Sequence, residues 1–246
     1  MSASEFDLIA RYFTPDYAPD SGVRLGVGDD CALVRVPEGH ELVVTTDTMV
    51  RGVHFPEDTD PRALGHKALA VNLSDVAAMG ADARWVTLAL TLPRGDEAWL
   101  AAFAEGFRDL ARQSGVSLIG GDTTHGPLAI TVQALGSVPS GQALLRSGAQ
   151  AGDLVAVTGT LGDGGLGLAS RLGERSIEGP DREFLEDRLD RPTPRLAAGR
   201  VLRGLATAAI DISDGLLADL GHVLEGSGVS GATIELDHLP LSEAFR

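Results

Sequence analysis

Apolar residues recur along this chain in short runs that stop on small residues and a carboxylate. Residues 118–124 read Leu-Ile-Gly-Gly-Asp-Thr-Thr, and the figure returns as Leu-Gly-Val-Gly-Asp-Asp at 25–30, Leu-Val-Val-Thr-Thr-Asp at 42–47 and Ala-Ile-Asp-Ile-Ser-Asp at 209–214. Each run carries strand-forming residues, then residues that let the backbone turn. The expectation is a set of strand ends that deliver acid.

The same patterning predicts the surrounding elements. Val86, Leu88, Leu90 and Leu92 alternate with Thr87 and Thr91, a strand over 84–92 closed by Pro93. Strands are also predicted over 32–36 and 41–46, joined by Pro37-Glu38-Gly39, and over 116–119, 128–138, 154–157, 208–212 and 231–236. Helical spacing marks 5–13, with Ser4 as N-cap, and 96–114, where Trp99, Phe103, Phe107 and Leu110 share a side. The clearest helix signal runs from Asp60-Pro61 to Gly80, an N-cap, a first-turn proline and a C-cap glycine. Further helices are expected over 192–205 and 214–225. Residues 49–56, with Arg51 and His54, lack a period and read as a loop. The Ser-, Gly- and Gln-rich stretch 139–152 marks a domain boundary, dividing the chain into units 1–139 and 140–246.

Composition narrows the partners. The 246 residues are 43% apolar, ample for a packed core, and carry 20 basic against 35 acidic side chains, a net charge of −15. Such a chain repels nucleic acid and anionic membranes, so neither is an expected partner. A single cysteine, Cys31, excludes an internal disulfide, and the N-terminus lacks the regions of a signal peptide, which makes the cytoplasm the default location. Lys67 is the one lysine.

The acids carry the chemistry. Two carboxylates ~5 Å apart repel by roughly 3 kcal/mol at an effective dielectric of ~20, so several around one cleft require cations. The six His are scattered and thiolates are lacking, which disfavours zinc. Carboxylates, Thr hydroxyls and carbonyls near glycine suit magnesium, which shares its shell with water and phosphate. Asn72 and Asp75, three apart on one helix face, join the cluster if that face meets the strand ends. Gly-x-Gly-x-x-Gly at 162–167 lacks the following strand and acid of a dinucleotide site, and reads as a strand-to-helix turn. A P-loop and the protein-kinase motif set are absent from the sequence. Arg146, in Leu145-Arg146-Ser147-Gly148, could clamp a phosphate. The residues lead to a magnesium-dependent phosphate-handling enzyme.

Taken in order, Gly-Val-Gly-Asp-Asp-Cys-Ala at 26–32, Thr-Thr-Asp-Thr at 45–48 with His54, Asn-Leu-Ser-Asp-Val-Ala-Ala-Met-Gly at 72–80, Gly-Gly-Asp-Thr at 120–123, Arg-Ser-Gly at 146–148, Thr-Gly-Thr-Leu-Gly at 158–162 and Asp-Ile-Ser-Asp-Gly at 211–215 resemble the thiamine-monophosphate kinase family. The resemblance implies the two-domain aminoimidazole ribonucleotide synthetase-like fold, an α/β (α+β) arrangement. Its N-terminal sheet is backed by helices and pairs with its twin across a homodimer. It implies transfer of the γ-phosphoryl group of ATP to thiamine monophosphate with several magnesium ions and no phosphoenzyme. By position, Asp30, Thr45, Thr46, Asp47, Asp75, Asp122, Asp211 and Asp214 would be metal ligands. Gly121, Asp122, Arg146 and Ser213 would contact ATP, and His54 the thiamine phosphate. A further Gly-Gly-Glu-Asp segment of the family lies past the position of Arg246, so the C-terminal domain is expected to be incomplete. The alternatives are another ATP-using enzyme of the same superfamily, or a non-catalytic magnesium-nucleotide binding fragment.

Overall fold

A computed structural model describes residues 11–14, 17, 18, 20–93 and 96–246. The helix expected over 5–13 falls mostly outside them. Strands β1 (Val23–Leu25) and β2 (Leu33–Val34) form a short antiparallel pair, and the main sheet takes β3 (His40–Val50), β4 (Asp82–Leu92), β5 (Ser117–His125) and β6 (Ala129–Pro139) in the order β3-β6-β4-β5. β6 is antiparallel to both its neighbours, and β4 and β5 run parallel. Parallel strands need a crossover, here supplied by helix α2 (Glu97–Ser114), while α1 (Pro61–Ala78) connects β3 to β4.

Both helices start where side chains satisfy the free N–H groups of the first turn. Asp60 Oδ1 accepts from the Ala63 N–H at 2.8 Å, and Asp96 Oδ1 accepts from Ala98 and Trp99 at 3.0 and 3.1 Å. Gly115, at φ 67°, closes α2. The two helices lie on one sheet face, burying Leu88, Leu90, Ile130, Val132 and Ala134 beneath Leu69, Leu73, Val76, Phe103 and Phe107. They meet backbone to backbone, because a Cβ on Gly65 would lie 2.0 Å from the Phe103 carbonyl and one on Gly106 1.9 Å from that of Arg62.

The opposite face is covered at Trp85, which is fully buried and donates its Nε1–H to the Ser21 carbonyl at 2.8 Å, and is bare beyond it. Alternation puts Leu42, Val44, Thr46 and Thr48 of β3, Thr131 and Gln133 of β6, Ala89 of β4 and Asp122 of β5 there. Leu42 and Val44 are 45% and 51% exposed, far more than strand apolar residues in a covered layer.

Two expectations change here. Gly120-Gly121-Asp122 does not leave its strand, since β5 stays paired to β4 as far as His125 against Leu92. Asp47 likewise sits inside β3, which continues to Val50 opposite Ala129 instead of giving way to a loop at residue 49. Backbone pairing with a neighbour on the ladder overrides the turn tendency of small residues.

Helices α3 (Asp163–Arg171), α4 (Gly179–Asp190), α5 (Leu196–Leu202) and α6 (Leu216–Ser227) follow. Gly162 caps α3 and residues 163–167 lie within that helix, so the glycine-rich stretch is a helix start with no strand leading into it, not the strand-to-helix turn expected. Arg171 clamps Asp190 with Nη1–Oδ1 and Nη2–Oδ2 at 3.0 and 2.5 Å, tying α3 to α4. Lys67 of α1 is held down in pKa by burial, with Asp190 opposing the shift. Arg200 and Arg203 pair with Asp82 at 3.5 and 3.7 Å, which pins this part of the chain to the sheet. The strands expected over 154–157, 208–212 and 231–236 are absent among the described residues. Those segments run without a ladder partner, and Leu154 is 96% exposed. β propensity is expressed only where a neighbouring edge accepts the hydrogen bonds.

Candidate functional site

Four of the candidate residues gather from two elements and two loops around a cleft of about 500 Å³, lined by Thr45 of β3, Asp75 of α1, Arg146, and Asp211 with Ala209 and Ile210. Thr45 Oγ1 donates to Asp75 Oδ2 at 2.6 Å. One turn earlier on α1, buried Asn72 gives its Nδ2–H to the Ala68 carbonyl at 3.0 Å and accepts the Asp47 backbone N–H on Oδ1 at 3.1 Å. Its amide therefore fixes β3 against α1 at the height of the acids. The mid-helix aspartate faces the cleft, which accounts for a residue that helix propensity disfavours.

Electrostatics tie the acids together. Burial, and next the Asp75 charge, push the Asp47 carboxyl above its ordinary value of 3.8, while His54 opposes them. Burial and then Asp75 also push Asp211 up, the Ser74 hydroxyl lowers it, and Asp219 raises it further. Asp75 thus stands between two carboxyls that resist ionisation. Arg146 is exposed on the other wall, its loop joined to the Asp211 segment by the Ala209 N–H to Leu145 carbonyl bond of 2.8 Å. His54 is exposed in the turn after β3, where its Nδ1 accepts the Val50 N–H at 3.0 Å and leaves Nε2 to carry the proton of the neutral ring. Such a cleft brings anionic and cationic groups together where a cation and a polyanion can be held side by side.

The remaining candidates lie elsewhere. Asp47, Val132, Leu88 and Gly121 form one row across the sheet, so Gly121 and Asp122 are three strand spacings from β3, roughly 14 Å. Asp122 projects from the bare face, as does Thr46, whose Oγ1 accepts from Gln133 Nε2 at 3.4 Å. Asp30 belongs to the β5 side. Tyr17 accepts the Val27 N–H and donates to the Leu118 carbonyl, both at 3.0 Å, which ties that loop to β5. Gly121 has a packing reason of its own, since a Cβ there would lie 1.9 Å from the Leu88 carbonyl. Ser213 and Asp214 are exposed in the turn leading into α6. Among the described residues, no three His, Cys, Asp or Glu side chains close on a metal position by themselves.

Two contributors escaped the sequence reading. Asp219 is 3% exposed and holds the 213–215 turn, and Ser74 meets Asp211. An acid in the first turn of a helix, after Ser-Asp-Gly, was the available signal for Asp219. Ser74 had none beyond lying next to Asp75.

The AIR synthase related protein N-terminal domain model matches residues 28–138, and its C-terminal domain model matches 150–245. The chain is 51% identical over 246 residues to a thiamine-monophosphate kinase of Salmonella typhimurium, covering 100% of this chain and 75% of the relative. A crystal structure of thiamine-monophosphate kinase from Stenotrophomonas maltophilia superposes with a TM-score of 0.86 at 48% identity, over 96% of this chain and 75% of that one. The structure of AaThiL complexed with AMPPCP and TMP gives a TM-score of 0.77 at 35% identity, over 89% of this chain and 70% of that one.

Proposed function

Because the chain belongs to the AIR synthase related family, and within it to the thiamine-monophosphate kinases, we propose that its cleft carries the γ-phosphoryl group of ATP to thiamine monophosphate, yielding thiamine diphosphate and ADP by direct in-line transfer. The observation that carries this reading is the central position of Asp75, which accepts the Thr45 hydroxyl and, after burial, is the next cause that raises both Asp47 and Asp211 in a chain of net charge −15. Acids so placed gain from a cation. The donor set is hard, and it is too open to cage an ion alone, which suits magnesium sharing its shell with phosphate and water.

Thr45, Asp47, Asp75 and Asp211 would hold magnesium in the cleft, with Asp214 at its margin and Asp30, Thr46 and Asp122 supplying further sites. Magnesium, when bound, offsets the charge of the triphosphate. The chain's own groups do the rest. Arg146 presents a guanidinium to phosphate oxygens, with Ser213 and Gly121 beside the nucleotide. Thr45 fixes the orientation of the Asp75 carboxylate, and Asn72 fixes the backbone under Asp47. His54 offers Nε2–H to the phosphate of thiamine monophosphate. No side chain is assigned as a base, and catalysis rests on positioning and charge neutralisation.

The bare face extends the proposal. Two units spanning residues 1–139, placed face to face as a homodimer, would cover Leu42 and Val44 and bring the β5 edge of each beside the β3 edge of its twin. Asp122 and Thr46 would then share one enclosed surface, joining what a single chain keeps apart. Residues 140–246 would form the second unit of each subunit. No helix among the described residues is long and apolar enough to cross a membrane.

Incubation with ATP, magnesium and thiamine monophosphate, followed by chromatography, is expected to yield thiamine diphosphate and ADP in equal amounts, and none once the metal is chelated. Turnover of aminoimidazole precursors or selenide instead would assign another reaction of the superfamily. Tight binding of magnesium-ATP without product would leave a nucleotide-binding module.

A further inference from the structure

Helix α6 touches both C-terminal walls of the cleft, one at each end. At its start Gly215 offers no side-chain cap, and Asp219, within the first turn, supplies one from inside. A single oxygen, Oδ2, accepts the backbone N–H groups of Ser213, Asp214 and Gly215 at 3.0, 3.2 and 3.1 Å. Three donors on one buried carboxylate oxygen hold that turn in one shape, and the turn sets the direction in which Asp211 enters the cleft. At the far end Ser227 does the same for the other wall. Its Oγ accepts the N–H groups of Gly148 and Ala149, both at 3.1 Å, and donates to the Arg146 carbonyl at 3.5 Å.

Neither side chain lines the cleft. The two are eight residues apart on one helix, about 12 Å along its axis. A rigid helix with a hydrogen-bonded peg at each end sets the spacing between an anionic segment and a cationic one.

We propose that α6 is the frame that holds the Asp211 and Arg146 segments in register, with Asp219 and Ser227 as positioning residues for phosphoryl transfer. The inference rests on the reading of the cleft given above. It assigns each peg a separate consequence: Asp219 acts on the metal-binding side through Asp211, and Ser227 acts on ATP through Arg146.

Steady-state kinetics with magnesium and ATP titrated separately distinguish the two. Asp219→Ala is expected to raise the magnesium concentration at half-maximal rate by about 10-fold or more, the range found when a group orienting a metal ligand is removed. Asp219→Asn keeps an acceptor oxygen without the charge, and a shift of about 3-fold is expected. Ser227→Ala is expected to raise the KM for ATP about 5-fold with kcat little changed, and Ser227→Thr, which keeps the hydroxyl, to restore it. Lower melting temperatures with unchanged magnesium and ATP constants would make both residues merely structural and overturn the proposal. If Asp219→Ala does not fold, an unchanged magnesium constant in Asp219→Asn overturns it equally. Asp211→Asn and Arg146→Ala are run alongside. Should these direct variants also leave both constants unmoved, the reading of the cleft itself fails and the frame has nothing to position.

Discussion

Asp75→Asn is expected to lower kcat/KM by about 10²–10³-fold, the cost of losing a preorganised charged group at a phosphoryl-transfer site, and to make the metal-free protein slightly more stable. Asp75 is the residue that links the other acids: Thr45 bonds it, and burial and then the Asp75 charge raise both Asp47 and Asp211. A carboxyl whose folded pKa lies above its unfolded value contributes stability that is present below that unfolded value and lost as pH rises through the folded pKa. For Asp47 and Asp211 the loss begins above 3.8, so at neutral pH each weakens the fold. The Asn amide keeps an oxygen for the Thr45 hydroxyl and removes the charge. With Asp47 only half-buried, solvent screening limits the gain to about 0.5 kcal/mol, seen as a small rise in melting temperature in chelator. Saturating magnesium should reverse the order, since the wild type gains more from the cation. A variant that melts well below wild type in chelator would show that Asp75 is a structural residue.

Gly121→Ala is expected to cost more in stability than any surface change, about 3 kcal/mol or more, because the new methyl would sit 1.9 Å from the Leu88 carbonyl in the paired heart of β4 and β5. Relief requires β5 to move off β4, which breaks the ladder. Neighbouring Gly120 has nothing within 4 Å of its added Cβ, so Gly120→Ala is the control and should stay within about 1 kcal/mol of wild type. Equal melting temperatures for the pair would mean that Gly121 is present for close approach of a ligand alone. Chemical denaturation of both variants provides the comparison.

The N-terminal elements were legible because their signals are local and agree with one another. Asp60-Pro61 marks the start of α1, alternation marks β4, and Trp99, Phe103 and Phe107 mark the apolar side of α2, where Trp99 and Phe103 stack with centroids 5.2 Å apart. The acids were legible as a set and misread as strand exits. Asp47 and Asp122 lie inside strands, because a neighbouring strand holds Thr45-Thr46 and Gly120-Gly121 extended where sequence alone suggests a turn. Their grouping depends on strand order, which residue types do not encode. Asp47 and Asp122 carry the same motif yet stand at opposite edges of β3-β6-β4-β5. Asp219 and Ser227 stayed hidden for a related reason, since their partners are backbone N–H groups whose approach only the folded chain defines. The expected strands of the C-terminal half depended on neighbours to pair with, and residues 154–157 have none among the described residues.

The separation of Asp75 from Asp122 leads to the central claim, a phosphoryl-transfer site completed across two subunits. Subunit mixing tests it most directly. Inactive Asp75→Asn and Asp122→Asn proteins are denatured together, refolded at equal concentration, and assayed for thiamine diphosphate formation. If each site takes Asp75 from one chain and Asp122 from its twin, every mixed dimer holds one intact site, and about a quarter of wild-type activity should return. Activity that stays at the level of the separate variants, with mixed dimers demonstrated by mass spectrometry, would contradict the shared site.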